Sequence, residues 1–179
     1  MLEIGAGYCD WINNVEASRR VAIDIWPELP RHTAAGVEPI VLDIAKDLGT
    51  LNAGSFDTVL ASNVFEHFAP DTVPVVVTGV VRMLKPGGRL LIVQPNFRLA
   101  WRAYFDDYTH RSIFTDVSLP ALLRDSVILG GRRPERAIDH FERQRCEAEG
   151  VEAVVPGPAG DLLERPAAEG DGDEAEFHA

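Results

Sequence analysis

Glycines and acids follow successive short apolar runs of the 179-residue sequence. The opening run, "LEIGAG", breaks at Gly5 and Gly7, where a backbone without side chains lets another molecule approach closely. Asp24 follows the next run, 19 residues after Gly5, and Asp43 follows the third run after a further 19 residues. A carboxylate at the first position can accept both hydroxyls of a ribose. One at the second can accept from an exocyclic amine such as that of adenine. Together these residue types predict a site that binds a nucleoside.

Two histidines are the candidates for handling a proton. His67 lies in "SNVFEHF", after the fourth apolar run and close to Asn63 and Glu66. His110 lies in the aromatic stretch "YFDDYTHRS". Either imidazole can act as a general base if the reacting group is a hydroxyl. The structural alternatives are that His67 fixes its loop by hydrogen bonds and that His110 is a surface residue.

The apolar runs are typical of parallel strands. Each run is short and most are apolar on both faces, as expected for a strand covered on both sides. The predicted strands span residues 2–4, 20–23, 39–42, 56–61 and 89–93. Helices are predicted between or after them, at residues 10–18, 28–36, 71–84 and 118–124. This alternation predicts an α/β fold with a doubly wound, mainly parallel Rossmann-like sheet, in which ligands bind at the carboxyl ends of the strands.

The helix at residues 71–84 is predicted against local propensity. Its interior, "VPVVVTGVV", is rich in β-branched residues, which favour strands. Its position between two strands, with Pro74 near its start and "PGG" after its end, favours a helix instead.

Composition and charge exclude several classes of protein. The sequence is 46% hydrophobic and 25% charged, which is typical of one globular domain. The net charge of −11 is uneven, because residues 146–179 hold ten acids and one arginine (−9) whereas residues 1–145 hold eighteen acids and sixteen bases (−2). Without a clustered basic face we expect no nucleic-acid partner. Without a run of about 18 apolar residues we expect no membrane insertion.

The cysteines and the N-terminus indicate the cellular compartment of the protein. Cys9 and Cys146 lie too far apart for a metal-binding pair and form no disulfide framework, so we predict no metal ligands and a cytoplasmic protein. The N-terminus lacks a secretory signal. The predicted organisation is a binding domain at residues 1–125, an extension of uncertain character at 126–150, and a disordered acidic tail rich in proline, glycine and alanine at 151–179.

These motifs together resemble the class I S-adenosylmethionine-dependent methyltransferases, of the kind called types 11 and 23. The resemblance lies in "LEIGAG", "VAIDI", "VLDIA", "FDTVLASNVFEHF" and "LKPGGRLLIVQPN", within residues 2–96. It implies a seven-stranded sheet whose last strand is antiparallel, with S-adenosylmethionine as cofactor. It also implies roles for individual residues: the methionine moiety beside Glu3, Gly5, Ala6 and Gly7, the ribose on Asp24 and Ile25, the adenine at Asp43 and Ile44, and the sulfonium beside Asn63.

The same resemblance implies methyl transfer by in-line displacement to a small-molecule or glycan-type acceptor. The stretch "YFDDYTHRSIFT" is similar to family members with a histidine-containing loop, some of them near sugar or cell-envelope biosynthesis. One alternative is a non-catalytic or degenerate module that still binds the cofactor. Another is an NAD-type oxidoreductase, which is disfavoured because Asp10 stands where the dinucleotide fingerprint needs its third glycine.

The two ends of the sequence depart from the family pattern. The first strand has only residues 1–4, with no helix before it, and the sequence after Ser126 turns rich in arginine and glutamate where further strands are expected. We therefore expect a reading frame clipped at its start and shifted near Ser126, and a sheet incomplete at its C-terminal strands. A deliberate short variant with an acidic tail is the alternative.

Overall fold

A six-stranded sheet organises the part of the chain that the computed structural model describes, residues 1–129 and 151–156. The strand order is β3-β2-β1-β4-β5-β6. The first five strands are parallel and β6 is antiparallel to β5. The strands are β1 (Leu2–Ile4), β2 (Arg20–Asp24), β3 (Val37–Val41), β4 (Phe56–Ser62), β5 (Leu84–Gln94) and β6 (Val151–Pro156).

The strand order reverses between β1 and β4. β1 pairs with β2 on one side and with β4 on the other, so the chain leaves the sheet centre first in one direction and then in the other. A crevice at the carboxyl ends of the strands is expected at this switch point. The α/β, doubly wound, mainly parallel sheet predicted from the sequence is therefore confirmed.

The helices come after the third, fourth and fifth strands along the chain. They are α1 (Ile44–Asp47), α2 (Val73–Met83), α3 (Phe97–Ala100) and α4 (Ser118–Leu129). Helix α2 confirms the helix predicted against propensity. Its buried valines at positions 73, 76, 77 and 80 form one face and pack in the core, so burial outweighs the β preference of these residues. Helix α4 extends five residues past the predicted end at Arg124.

Two predicted helices do not form. Residues 10–14 make turns, and residues 28–36 contain only the short 3-10 helix Leu29–Arg31. In the first segment the Asn13 amide donates to the His32 carbonyl (2.8 Å) and accepts from the Ala34 N–H (2.8 Å), while the Asn14 amide donates to the Asp10 carbonyl (2.7 Å). Such side-chain bonds compete with the helical pattern, which explains why the turns do not propagate.

Two apolar cores flank the sheet. Alternate residues of β1 and β2, such as Leu2 and Ile23, join the larger core beneath α2 and α4. Ala22, which points to the opposite face, joins a smaller core with Cys9, Ile12 and other residues of the turns. The turns between β1 and β3 thus take over the covering role for which the sequence predicted helices.

The C-terminal segment differs from the expected tail at its start. Residues 151–156 form strand β6, which extends the sheet by pairing with β5 from Gln94↔Val151 to Arg89↔Pro156. The predicted disordered tail therefore does not begin at Val151. The rest of that prediction, residues 157–179, and most of the predicted extension, residues 130–150, lie outside the described residues. No helix of the described part is long and apolar enough to cross a membrane.

Candidate functional site

The glycine turn after β1 lies at the switch point and depends on positive φ angles. Gly5 has φ +64° and Gly7 has φ +49°, a region that residues with a Cβ rarely adopt. Between them Ala6 is buried, and its N–H donates to the Ile23 carbonyl at 3.1 Å. The turn is therefore tied to the end of β2 by its backbone.

The glycine turn also contacts the loop after β4. A Cβ on Gly5 would lie 2.5 Å from Cγ2 of Val64, so only glycine allows this approach. Asn63, just before Val64, has φ +50° and donates its N–H to the Val93 carbonyl at 2.9 Å. Asn63 is therefore at the same edge of the sheet as the turn, as the sequence predicts.

Asp24 is held at the end of β2 by two backbone groups. One carboxylate oxygen accepts from the Gly7 N–H at 2.8 Å, and the other accepts from the Trp26 N–H at 2.9 Å. The structure thus brings together the glycine turn and the acid that the sequence assigns to the ribose. Ile25, between Asp24 and Trp26, is 66% exposed.

Asp43 follows β3, the strand beside β2, and caps helix α1. Its carboxylate accepts from the Ala45 N–H at 3.0 Å and pairs with the Lys46 ammonium at 2.7 Å. The hydrogen bond from Lys46 lowers the pKa of Asp43. Ile44 is buried in the main core, so its side chain anchors the helix. Gly5, Gly7, Asp24 and Asp43 are called the glycine–aspartate side below.

Glu3 supports the glycine–aspartate side from within β1. Its carboxyl is buried and accepts from the Ile12 N–H at 3.0 Å. Burial is the main reason why the pKa of Glu3 rises to about 7, and the nearby Asp10 and Asp24 raise it further. Glu3 therefore anchors the turns that follow the glycines.

The other half of the edge contains Glu66, His67 and His110, here called the histidine cluster. The two imidazole rings lie 5.0 Å apart between centroids in a T-shaped arrangement, although 43 residues separate them in sequence. The segments are joined by backbone bonds, since the Glu66 carbonyl accepts from the N–H groups of Arg111 (2.7 Å) and Ser112 (3.0 Å). The two histidines proposed independently from the sequence are thus one cluster.

Glu66 is the most unusual member of the histidine cluster. Its side chain is completely buried, and neither carboxyl oxygen has a hydrogen-bond partner. Burial raises its pKa, while His67, His110 and the neighbouring Gln94 amide lower it in part. The Gln94 side chain is also buried and lies close to the Glu66 carboxyl, but at a geometry that forms no hydrogen bond with it. Buried polar groups of this kind normally have partners, so the pair indicates a place for a bound group.

Side chains outside the predicted site residues support this cluster. Buried Tyr104 donates from its hydroxyl to the Ser112 carbonyl at 2.6 Å, and the Ser112 hydroxyl donates to the Phe68 carbonyl at 2.7 Å. Gln94 could have been found as the polar end of the fifth strand. The roles of Tyr104 and Ser112 had no local signal, because their partners are distant in sequence or are backbone atoms.

A groove of about 450 Å³ is lined by none of the residues of the glycine–aspartate side or of the histidine cluster. It is formed mainly by α1 and α2 and includes Ile44, Lys46, Thr78 and Arg82. Of the predicted cofactor residues only Ile44 contributes to it, and it has no carboxylate to accept ribose hydroxyls. The chemistry of the switch point therefore identifies the candidate site better than the size of this groove.

Comparisons with known proteins agree with this geometry. Residues 2–92 match the family model described as "Methyltransferase domain". No curated protein sequence matches the chain. Among solved structures, a SAM-dependent methyltransferase from Archaeoglobus fulgidus is similar at 14% identity, with a TM-score of 0.66, over 87% of this chain and 84% of that one.

Two further structures share the fold. A SAM-dependent methyltransferase from Methanosarcina mazei has 18% identity and a TM-score of 0.66, over 89% of this chain and 92% of that one. The N-methyltransferase NodS from Bradyrhizobium japonicum, in complex with S-adenosyl-L-homocysteine, has 16% identity and a TM-score of 0.65, over 88% and 77%. At these identities the likeness supports the fold alone.

Proposed function

This chain belongs to the methyltransferase domain family and uses S-adenosylmethionine, and we propose that it methylates a small-molecule or glycan-type acceptor. The observation on which the cofactor assignment depends is the 2.8 Å hydrogen bond from the Gly7 N–H to Asp24. This bond joins the glycine turn after β1 to Asp24 at the end of β2, at the switch point of the sheet. An adenosyl group is the ligand that such a turn and acid suit.

Asp24 retains the capacity to bind a ribose. A carboxylate offers about four lone-pair sites. The N–H groups of Gly7 and Trp26 take one site on each oxygen, so each oxygen keeps one for a ribose hydroxyl. The two backbone bonds also fix the orientation of the carboxylate before the ligand arrives. We propose that Glu3, Ala6 and Ile25 complete the wall around the methionine and ribose.

Asp43 is the proposed partner of the adenine amine. It lies beside Asp24 in the strand order, and the Leu42 N–H donates to the Asp24 carbonyl at 2.9 Å. Because Lys46 lowers the pKa of Asp43, the side chain is a carboxylate at neutral pH and can accept from an amine. Ile44 supports it from the core.

Methyl transfer depends more on the positioning of donor and acceptor than on a covalent intermediate with the protein. The acceptor bonds to the methyl carbon as the carbon–sulfur bond breaks and its electron pair returns to sulfur, which leaves S-adenosylhomocysteine. Holding donor and acceptor in line, about 3–3.5 Å apart, supplies most of the acceleration. If the acceptor is a hydroxyl, its proton must leave, and we assign this task to the His67–His110 pair near Asn63.

Exposed aromatic side chains in the segment that precedes His110 support a glycan-type acceptor. Trp101, Phe105 and Tyr108 are exposed, whereas Tyr104 is buried. Aromatic rings offer apolar faces on which a small ring-shaped acceptor can pack. The nearly neutral charge balance of residues 1–145 also disfavours nucleic acid as the acceptor.

Calorimetric titration of S-adenosylmethionine tests the cofactor assignment. We expect Asp24→Ala to weaken binding at least 100-fold, since it removes the ribose partner and releases the Gly7 N–H. Asp57→Ala is the matched control, because Asp57 is an exposed acid near the start of β4 that pairs with Lys85. Unchanged affinity in Asp24→Ala would refute the assignment, as would binding of NAD in place of S-adenosylmethionine.

Labelled methyl donor tests the acceptor class. The chain is incubated with a cell extract, which is then separated into small molecules, glycans, proteins and nucleic acids. We expect label in the first two fractions. Label confined to proteins or nucleic acids would contradict the proposal. Binding of the donor without transfer to any fraction would favour the non-catalytic module instead.

A further inference from the structure

We propose that Glu66, His67 and His110 bind a divalent transition-metal ion. One potential ligand atom from each residue lies within 4.8 Å of the corresponding atoms of the other two. Ligand atoms around one such ion are about 3–4.4 Å apart, given metal–ligand distances near 2.0–2.2 Å. Small rotations of these side chains would therefore close the set around an ion.

The hydrogen bond of His110 leaves its other nitrogen free for a metal. Nδ1 of His110 lies 2.6 Å from the carbonyl oxygen of Tyr104. A carbonyl only accepts, so the proton of the neutral imidazole is on Nδ1 and the lone pair is on Nε2. The Asp107 carboxylate is 3.8 Å from Nε2, which is beyond hydrogen-bond distance. Metal-binding histidines are held by a bond of this kind from the second nitrogen.

His67 has the same proton arrangement through a longer relay. Its Nδ1 lies 2.8 Å from the Thr109 hydroxyl, which donates its single proton to Asp107 at 2.5 Å. The Thr109 oxygen must therefore accept from the Nδ1–H of His67, which leaves Nε2 with the lone pair. Asp107 ends the relay, because its carboxylate accepts from both the N–H (2.9 Å) and the hydroxyl of Thr109. Both rings are thus arranged to offer Nε2.

The buried carboxyl of Glu66 supplies independent support. Both of its oxygens lack hydrogen-bond partners, although the side chain is completely buried. Leaving such a group without a partner costs free energy, and an ion bound by Glu66 would remove this cost. The Gln94 amide beside it offers a further oxygen.

The ligand set indicates the class of metal. One carboxylate with two imidazoles suits first-row ions such as Mn²⁺, Fe²⁺, Co²⁺ or Zn²⁺, whereas Mg²⁺ and Ca²⁺ prefer oxygen ligands alone. The binding proposal rests on the geometry of this cluster. Its role in the reaction rests on the proposed function: an ion here would orient a hydroxyl acceptor and lower its pKa, and would thereby replace the imidazoles as the aid to deprotonation.

Metal retention by the full chain tests the proposal. The protein is treated with a chelator and dialysed separately against Co²⁺, Mn²⁺, Zn²⁺ and Mg²⁺, and the bound metal is counted by mass spectrometry. We expect one transition-metal ion per chain, and affinity at least 10-fold lower in Glu66→Gln, His67→Ala and His110→Ala. His32→Ala is the matched control, since His32 stacks on Trp26 and is not part of the cluster.

A second pair of variants tests the relay to His67. Thr109→Val removes the acceptor for the Nδ1–H of His67 and should weaken Co²⁺ binding about 10–100-fold. Thr109→Ser keeps the hydroxyl and should bind Co²⁺ as tightly as the unchanged chain. Circular dichroism checks that each variant is folded. No retained ion, equal affinity in all variants, or retention of Mg²⁺ alone would overturn the proposal. Calorimetry of the chelated protein with S-adenosylmethionine separates this result from the cofactor assignment, because the glycine–aspartate side does not need the metal.

Discussion

The two halves of the candidate site are built in different ways. On the glycine–aspartate side, backbone N–H groups hold carboxylates, as in the bonds of Gly7 and Trp26 to Asp24. In the histidine cluster, the side chains of one segment meet those of another segment about 40 residues away. The first half has its polar atoms bonded, whereas the second contains a buried carboxyl without a partner.

This difference is consistent with the two proposed roles, a rigid binding site for the cofactor and a second site that a bound ligand completes. Backbone groups in tight turns move little, so the glycine–aspartate side can hold a cofactor in one position. The unpartnered Glu66 carboxyl must gain a proton, a cation or a donor to be stable in its buried position. We therefore expect substitutions in the two halves to have different consequences.

The largest effect is expected from Gly5→Ala. A Cβ there would lie 2.5 Å from Val64, and the φ of +64° is unfavourable for alanine, so the free energy of unfolding should fall by about 4 kcal/mol. Urea denaturation measures the loss. Gly49→Ala is the control, because a Cβ at Gly49 meets nothing within 4 Å. Equal stability of the two variants would mean that the glycine–aspartate side is not a rigid binding site.

A smaller effect, dependent on pH, is expected from Glu3→Gln. Burial raises the pKa of Glu3 from 4.5 to about 7, so the folded state binds this proton more tightly than the unfolded state. The contribution of Glu3 is fully present below pH 4.5 and is lost as the pH rises through 7, by about 3 kcal/mol. Glutamine can still accept from Ile12 but does not ionise. Thermal unfolding between pH 4.5 and 8 should therefore show a weaker decline in Glu3→Gln, and parallel profiles would contradict the assignment.

A moderate loss of stability is expected from Tyr104→Phe, beside the histidine cluster. It removes the hydroxyl that donates to the Ser112 carbonyl and leaves that oxygen unpaired, at a cost of about 1–2 kcal/mol. Burial raises the pKa of Tyr104 to about 12, so its contribution is present below pH 10 and is lost as the pH rises towards 12. The variant should be less stable at pH 7 and lose less stability in alkali. Tyr108→Phe is the control, since Tyr108 is 92% exposed.

The smallest effect is expected from Asp43→Ala. It removes the cap of α1 and the exposed pair with Lys46, and should lower the free energy of unfolding by about 1 kcal/mol. Because Lys46 lowers the pKa of Asp43, the contribution of this carboxylate is present above pH 3.8 and is lost as the pH falls below it. Affinity for S-adenosylmethionine should fall more clearly than stability. A loss of stability with unchanged affinity would make Asp43 a cap alone.

The position of the glycine–aspartate side in the fold could be predicted because its signals are local. The glycines, the two acids and the strands that end at them can be recognised within a few residues each. Helix α2 could also be predicted, since its stop signal and its place between strands outweighed propensity. The helices expected at residues 10–18 and 28–36 were wrong, because the Asn13 and Asn14 amides form bonds across the turns that no periodicity reveals.

The histidine cluster could be predicted only in its parts. The sequence singled out His67 and His110 separately, and it named Glu66 as an acid after a strand. Their contact depends on the Glu66 carbonyl binding the N–H groups of Arg111 and Ser112, which no spacing rule contains. The prediction of no metal ligands came from the spacing of Cys9 and Cys146, which carries no information on ligands from other segments.

The sequence by itself determined the alternation of strands and turns, and with it the edge of the sheet at which the predicted cofactor residues meet. Apolar runs and glycines act over a few residues, where sterics and hydrogen bonding leave few choices. Only the tertiary structure decided which covering segments are turns and whether distant histidines share a site. Those outcomes depend on contacts between segments, whose free energies arise only when the chain is folded.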